Sequence, residues 1–284
     1  MILPLIEKHL IDKKRLDIKH KDTFYVTQAS CNRIINKKTG LTKLVGCCPR
    51  AAYYSCIGMP ENSVNRNRGL SRKLGDYTEY MLLNVIKDIG ILHDKAVKFT
   101  IEDISVSGKL DAIVEIDNEK VGLEIKSLSS NKWTNNHIFG SKWDKPTPKI
   151  NHLIQCMVYL YAYLGEINNF VLFYIRRDNG DCIEFNVELV LIDGKLYPSI
   201  NGEVDYTLNC DDIINNFKIL KELLDSDIVP MRGFHIEYTP EYAKELYLSG
   251  FLTKFMYEKF NEAPFGDFEC KGCGFIDICI KDGE

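Results

Sequence analysis

Apolar and polar positions follow two rhythms along this chain. Residues 105–116 (SVSGKLDAIVEI) and 120–127 (KVGLEIKS) alternate with the two-residue period of strands. Asp117-Asn118-Glu119 between them is turn-forming, so the pair is predicted as a β-hairpin. A second hairpin is predicted for 169–176 and 181–192 around Asp178-Asn179-Gly180. From Leu70 to Ile89 the rhythm is helical, with Leu74, Tyr77, Met81, Val85 and Ile86 recurring at the spacing of one face. Residues 150–165 read as a mostly buried helix ending at Gly165, and further helices are expected at about 211–226 and 239–261. Residues 1–20 read as a short charged amphipathic helix, 49–58 as a helix with Pro49 in its first turn, and 61–69 as a polar loop. Strands flanked by helices make a mixed α/β fold.

Charges interrupt the first hairpin at three points. Asp111 sits between Leu110 and Ala112, and Glu124 between Leu123 and Ile125. A charge embedded in an apolar strand needs a partner or a cation. Glu124 and Lys126 are two apart and leave the same face of the sheet, and a tight hairpin brings Asp111 near Glu124. Two converging carboxylates make an oxygen-rich site for a hard cation such as Mg²⁺ or Mn²⁺. A lysine beside them orients or deprotonates the attacking water, or neutralises a phosphate. These are the parts needed to hydrolyse a phosphodiester, although a strand with one solvated, charged face is the plainer reading of the same letters. Glu79, four residues after Gly75 on the preceding helix, is a candidate third acidic ligand. Gln155 and Tyr159 share a face of the following helix, within reach of the lysine or a DNA phosphate.

Composition narrows the class. The 284 residues are 45% hydrophobic and 27% charged, which excludes a collagen-like or disordered chain. No apolar run approaches the ~20 residues that span a bilayer, so no membrane partner is expected. The opening stretch becomes charged by Glu7 and reads as mature chain rather than signal peptide, which suggests a cytoplasmic protein. A net charge of −4 gives no overall pull toward nucleic acid. A local cluster does: Arg50, Arg66, Arg68, Arg72 and Lys73, with Tyr53 and Tyr54 nearby, are expected to contact phosphates and stack bases of single-stranded DNA. Trp133 and Trp143 are further stacking candidates.

Ten cysteines are many for a chain with no secretory signal. Cys270, Cys273 and Cys279 form a C-x2-C-x5-C group that points to a thiolate metal site. The fourth ligand must come from elsewhere; Cys48 is the first choice, with Cys47, Cys31 and Cys56 as rivals. Cys156, Cys182 and Cys210 read as buried small hydrophobes. Spacing alone leaves an iron–sulfur cluster and Zn²⁺ both open.

Taken in order, Cys48-Pro49-Arg50, Gly75-x3-Glu79, Gly108-Lys109-Leu110-Asp111, Glu124-Ile125-Lys126-Ser127, Gln155-x3-Tyr159 and the terminal cysteines span most of the chain. This series resembles the RecB-like branch of the PD-(D/E)XK nucleases. More narrowly, it resembles the iron–sulfur exonucleases typified by the CRISPR-associated Cas-four family and the nuclease domain of AddB-type helicase–nucleases. The resemblance implies a restriction-endonuclease-like core, a central mixed sheet flanked by helices, within one nuclease domain over 1–284. The catalytic core would be 70–192, with helical parts at 1–69 and 211–284 joined through a [4Fe–4S] cluster. It implies cluster ligands Cys48, Cys270, Cys273 and Cys279. It further implies Mg²⁺ or Mn²⁺ on Asp111, Glu124 and the Ile125 carbonyl, a catalytic Lys126, and an auxiliary Gln155–Tyr159 pair. Glu79 stands where many members have histidine, and Leu110 where others have proline. The stretch 227–268 is longer than in compact members and reads as an insertion. The implied activity is a DNA exonuclease acting on single strands or free ends, in bacterial or phage-infected cytoplasm, with a helicase or a CRISPR or recombination protein as the implied partner. A non-catalytic DNA-binding or assembly subunit that keeps the fold is the alternative.

Overall fold

The computed structural model describes residues 23–35, 42–62, 67–129, 137–142 and 144–283. Its centre is an eight-stranded mixed sheet. Strands β1 (Phe24–Tyr25), β5 (Val106–Ile116), β6 (Glu119–Leu128), β7 (Asn169–Arg176), β8 (Cys182–Ile192), β9 (Lys195–Ile200) and β10 (Glu203–Val204) follow one another across it, and β4 (Leu92–Ile101) pairs with β5. β6 and β7 are parallel, as are β1 and β5; every other pair is antiparallel. A separate two-stranded sheet is formed by β2 (Ser30–Ile35) and β3 (Thr42–Gly46).

Both predicted hairpins form. At the first, Asp117 and Asn118 take φ of 53° and 65°, the left-handed pair whose twist suits a two-residue hairpin. The parallel β6–β7 pair requires a crossover, supplied by α3 (Ile150–Ala162). The large core lies between one face of the sheet and α3, α4 (Cys210–Asp225) and β2–β3. The other face is covered by α2 (Asn67–Asp88), whose Leu82, Leu83 and Ile86 pack on Ala112, Val114, Val121, Leu123 and Ile125. No helix among the described residues is long and apolar enough to cross a membrane.

Several expectations change. The predicted helix forms as α2, and of its five periodic residues Ile86 packs on the sheet while Leu74, Tyr77, Met81 and Val85 are exposed, because α2 is apolar on two sides. The predicted helix 239–261 is two, α5 (Pro240–Leu248) and α6 (Lys254–Glu262). Gly250 at φ 76° breaks it, and Thr253 caps α6 by accepting the Met256 N–H. The segment before residue 69 is not purely helical: it carries β1, β2 and β3 as well as α1 (Pro49–Cys56). β4 and β9 were not anticipated. Cys156 and Cys210 are buried as expected, but Cys182 is exposed. Residues 1–20, Arg66, Trp133 and Trp143 lie outside the described residues, as do the side chains of Arg68 and Arg72.

Within the proposed insertion, α5 and α6 enclose a small apolar cluster around Ala243, Leu246, Leu252 and Phe260. Asp267 ties this unit back to the body. It accepts the His235 N–H at 2.8 Å and the Tyr238 hydroxyl at 3.0 Å, and pairs with Lys43 of β3 at 3.4 Å.

Candidate active site

The site is built where β5 changes partners. The β5–β6 ladder runs from Ile116–Glu119 to Ala112–Leu123, and β1 meets β5 only at Val106 and Ser107. Continued by one pair, the ladder would set Asp111 opposite Glu124. There the two strands part instead, and the Asp111 carboxylate accepts the Ile125 N–H at 2.8 Å. The opening exposes the Lys109 carbonyl, which accepts the Tyr159 hydroxyl at 3.0 Å.

Three elements close on this opening. On β6, Glu124 Oε1 accepts from Lys126 Nζ (2.5 Å) and from Gln155 Nε2 (2.9 Å). From α3, Gln155 Oε1 accepts from Lys126 Nζ (3.1 Å), and Gln155 Nε2 also donates to Tyr159 Oη (2.7 Å). From α2, Glu79 leans in, half-buried, close enough for its charge to act on Asp111 and Glu124. Gly75 makes that approach possible: a Cβ there would lie 3.3 Å from Ser127 Oγ. Gly108 serves Tyr159 in the same way. A Cβ there would fall 2.5 Å from the Phe99 ring, which packs edge-on to Tyr159 at 5.5 Å between centroids.

The acidic groups are under strain of charge. Burial, then the charge of Glu124, pushes Asp111 up to about 7. Burial raises Glu124, against the pull of Lys126. Burial and then the Asp111 charge raise Glu79. Burial alone would lower the Lys126 ammonium, but Glu124 beside it raises it on balance. Glu124 Oε2 is buried with no hydrogen-bond partner. A buried carboxylate oxygen without a donor, flanked by two more acids, suits a hard cation. Asp111 and Glu124 are the pair that fit one, and Glu79 stands near enough for its charge to be felt by both. Among the described residues, no three acidic, histidine or cysteine side chains stand close enough to grip a single ion.

One neighbour escaped the sequence reading. His152 lies one turn before Gln155 on the same face of α3, and its Nδ1 meets Tyr174 Oη at 2.9 Å. Tyr174 Oη accepts the Lys149 N–H at 3.0 Å, and Tyr174 is the cross-strand neighbour of Lys126. Burial, then the charges of Lys126 and Lys149, hold His152 well below 6.5. The 152–155–159 spacing carried this signal.

Of the predicted DNA track, the side chains of Arg50 and Lys73 are among those described. Arg50 is 4% exposed and donates to the Pro230 carbonyl at 2.7 Å and the Gly283 carbonyl at 2.6 Å, so it faces the interior and not a nucleic acid. Tyr53 and Tyr54 are buried too, and Tyr54 donates to Asp282 at 2.6 Å. Their aromatic character reflects packing, not base stacking. Lys73 is exposed and pairs with Asp76.

The cysteines form a second centre. Cys48, Cys270, Cys273 and Cys279 line one small cavity, between the start of α1 and the short helices α7 (Phe268–Lys271) and α8 (Ile276–Lys281). Cys47 is not among its walls; it packs toward the main core, and its hydrogen bond goes to the Cys48 carbonyl. Cys31 and Cys56 belong to the main core as well. Burial and the neighbouring thiols push Cys270 up to about 12 and raise Cys273. A bound metal would reverse that shift by stabilising the thiolate form. Arg232, on the same cavity, keeps its buried Nε without a hydrogen-bond partner. A buried donor without a partner, on a residue that lines the cavity with four cysteines, fits a sulfur-rich anionic group.

No protein-family model matches the chain. It is 18% identical, with a TM-score of 0.41, to the crystal structure of SSO0001, over 90% of this chain and 98% of that one. That overlap is too loose to argue from. By sequence it is 27% identical over 197 residues to the CRISPR-associated exonuclease Cas4 of Saccharolobus solfataricus (strain ATCC 35092 / DSM 1617 / JCM 11322 / P2), covering 66% of this chain and 81% of that protein. The chain is thus similar, over most of its length, to a protein named as an exonuclease.

Proposed function

We propose that this chain is a metal-dependent deoxyribonuclease of the PD-(D/E)XK type that hydrolyses phosphodiesters at DNA ends. The observation that carries the reading is the buried, unpartnered Oε2 of Glu124, set between Asp111, Lys126 and Gln155. The sequence likeness to a Cas4 exonuclease supports DNA as substrate and a CRISPR-linked setting.

In this reading Asp111 and Glu124 would hold Mg²⁺ or Mn²⁺, with Glu79 contributing directly or through water; when bound, the metal would offset charge developing on the phosphate and lower the pKa of water. The Ile125 N–H fixes the Asp111 carboxylate. Lys126 orients the attacking water and balances the phosphate charge. Gln155 holds Lys126 and Glu124 through one hydrogen bond to each, and its amide also donates to Tyr159. Cys48, Cys270, Cys273 and Cys279 hold a [4Fe–4S] cluster that clamps the start of α1 to the end of the chain.

The test is cleavage of end-labelled single- and double-stranded DNA by anaerobically purified protein with Mn²⁺, Mg²⁺ or EDTA, with Lys126→Ala beside it. Cleavage that needs the metal and falls at least about a hundredfold in the variant is the expected result. Metal-independent cleavage, or full activity in a folded Lys126→Ala protein, overturns it. DNA binding without cleavage by a folded, metal-loaded protein assigns the chain to an assembly role instead.

A further inference from the structure

Two arginines stand at the cysteine cavity, and neither has a role in the nuclease chemistry. Arg50 reaches it from α1: beyond its two carbonyl bonds, its Nη1 lies 3.9 Å from Cys279 Sγ. Arg232 reaches it from the 227–268 stretch, ahead of α5: its Nη2 donates to the Cys279 carbonyl at 2.7 Å, and its Nε is buried without a partner. Both side chains line the cavity with the four cysteines. One cysteine is therefore gripped from both sides, by its sulfur and by its carbonyl.

Arg50 is buried, and Arg232 is half-buried with its Nε enclosed; an enclosed guanidinium is costly unless an anion answers it. The hydrogen bonds of Arg50 and Arg232 to the chain go to neutral carbonyls. No carboxylate pairs with either among the described residues. Four thiolates around a dipositive core, by contrast, carry two net negative charges.

We infer that Arg50 and Arg232 are the counter-ions of the four-cysteine centre, holding it in the protein and raising its reduction potential. The inference rests on the cluster reading given above. Positive charge beside the centre favours the electron-rich state, and N–H donors to sulfur act in the same direction. Both arginines are positioning residues; they touch no DNA and no reacting atom.

The test uses the full chain, reconstituted anaerobically with iron and sulfide. Iron and sulfide content, the visible spectrum and the midpoint potential in a dithionite titration followed by electron paramagnetic resonance are compared across Arg50→Gln, Arg232→Gln, Arg50→Lys and Arg232→Lys. The glutamine variants are expected to lose iron faster to a chelator and to shift the midpoint negative; Arg232→Lys, which keeps the charge, is expected to stay near the parent. Thermal melting separates folding from tuning. If Arg50→Gln does not fold, Arg232→Gln, at the more exposed position, carries the test. Unchanged potential and unchanged iron retention in folded Arg232→Gln overturn the inference, since a mere staple would lower the melting temperature alone. A parent protein that folds but takes up no iron and sulfide overturns the cluster reading itself, and this inference with it.

Discussion

Asp111 accepts the Ile125 N–H at 2.8 Å, one step beyond the last bridged pair of the β5–β6 ladder. The carboxylate thus stands in for the strand that has left. It satisfies a backbone donor that would otherwise be orphaned, and that bond fixes the carboxylate across from Glu124. Structural and chemical duties meet in the same side chain.

Gly108→Ala is expected to lower both stability and activity. The new Cβ meets Phe99 at 2.5 Å and Tyr159 at 3.2 Å. Relief of that overlap costs on the order of 1–3 kcal/mol and turns Tyr159 away from Gln155. Chemical denaturation reads the first effect. A fall in kcat larger than any change in KM, in the folded protein, reads the second. An unchanged kcat would mean that Tyr159 does not position Gln155.

Cys47 and Cys48 are expected to part company. Only Cys48 lines the cavity with the terminal cysteines. Cys48→Ser should bleach the visible absorbance and lower iron content after reconstitution, while Cys47→Ser should keep both. The opposite pattern would make Cys47 the ligand.

His152 gives a pH signature to the metal-free protein. Its folded pKa is depressed by burial and by Lys126 and Lys149, while its unfolded pKa is near 6.5. The unfolded chain therefore binds the extra proton below that value, and stability falls as pH drops through 6.5. The contribution is fully present above 6.5. His152→Gln should flatten this part of the stability curve, measured by urea denaturation between about pH 5 and 8. A parallel displacement of the two curves across the whole range would show that His152 does not titrate in this way.

The strands and helices that frame the site were legible because hydrophobic period alone sets them. Asp111, Glu124 and Lys126 stood out as charges in apolar strands, and the structure brings them together with Gln155, Tyr159 and Glu79. Arg50 misled, because a basic residue next to tyrosines reads the same whether it meets DNA or a buried carbonyl. The face of α2 misled for a related reason: Leu74 and Leu82 carry the same hydropathy, and only the sheet decides which is covered. His152 and Arg232 were missed because their partners, Tyr174 and Cys279, are distant in sequence.

Glu124 and Lys126 share a face of β6 with Leu123 and Ile125 on the other. A slip of β6 by one residue against its neighbours would turn the apolar pair into the opening and bury the charged pair beneath α2. Such a chain would not keep a weakened site; it would be unstable, with charges in its apolar layer. The register that makes the site is thus proofread by folding itself, and molecules that survive quality control are the competent ones.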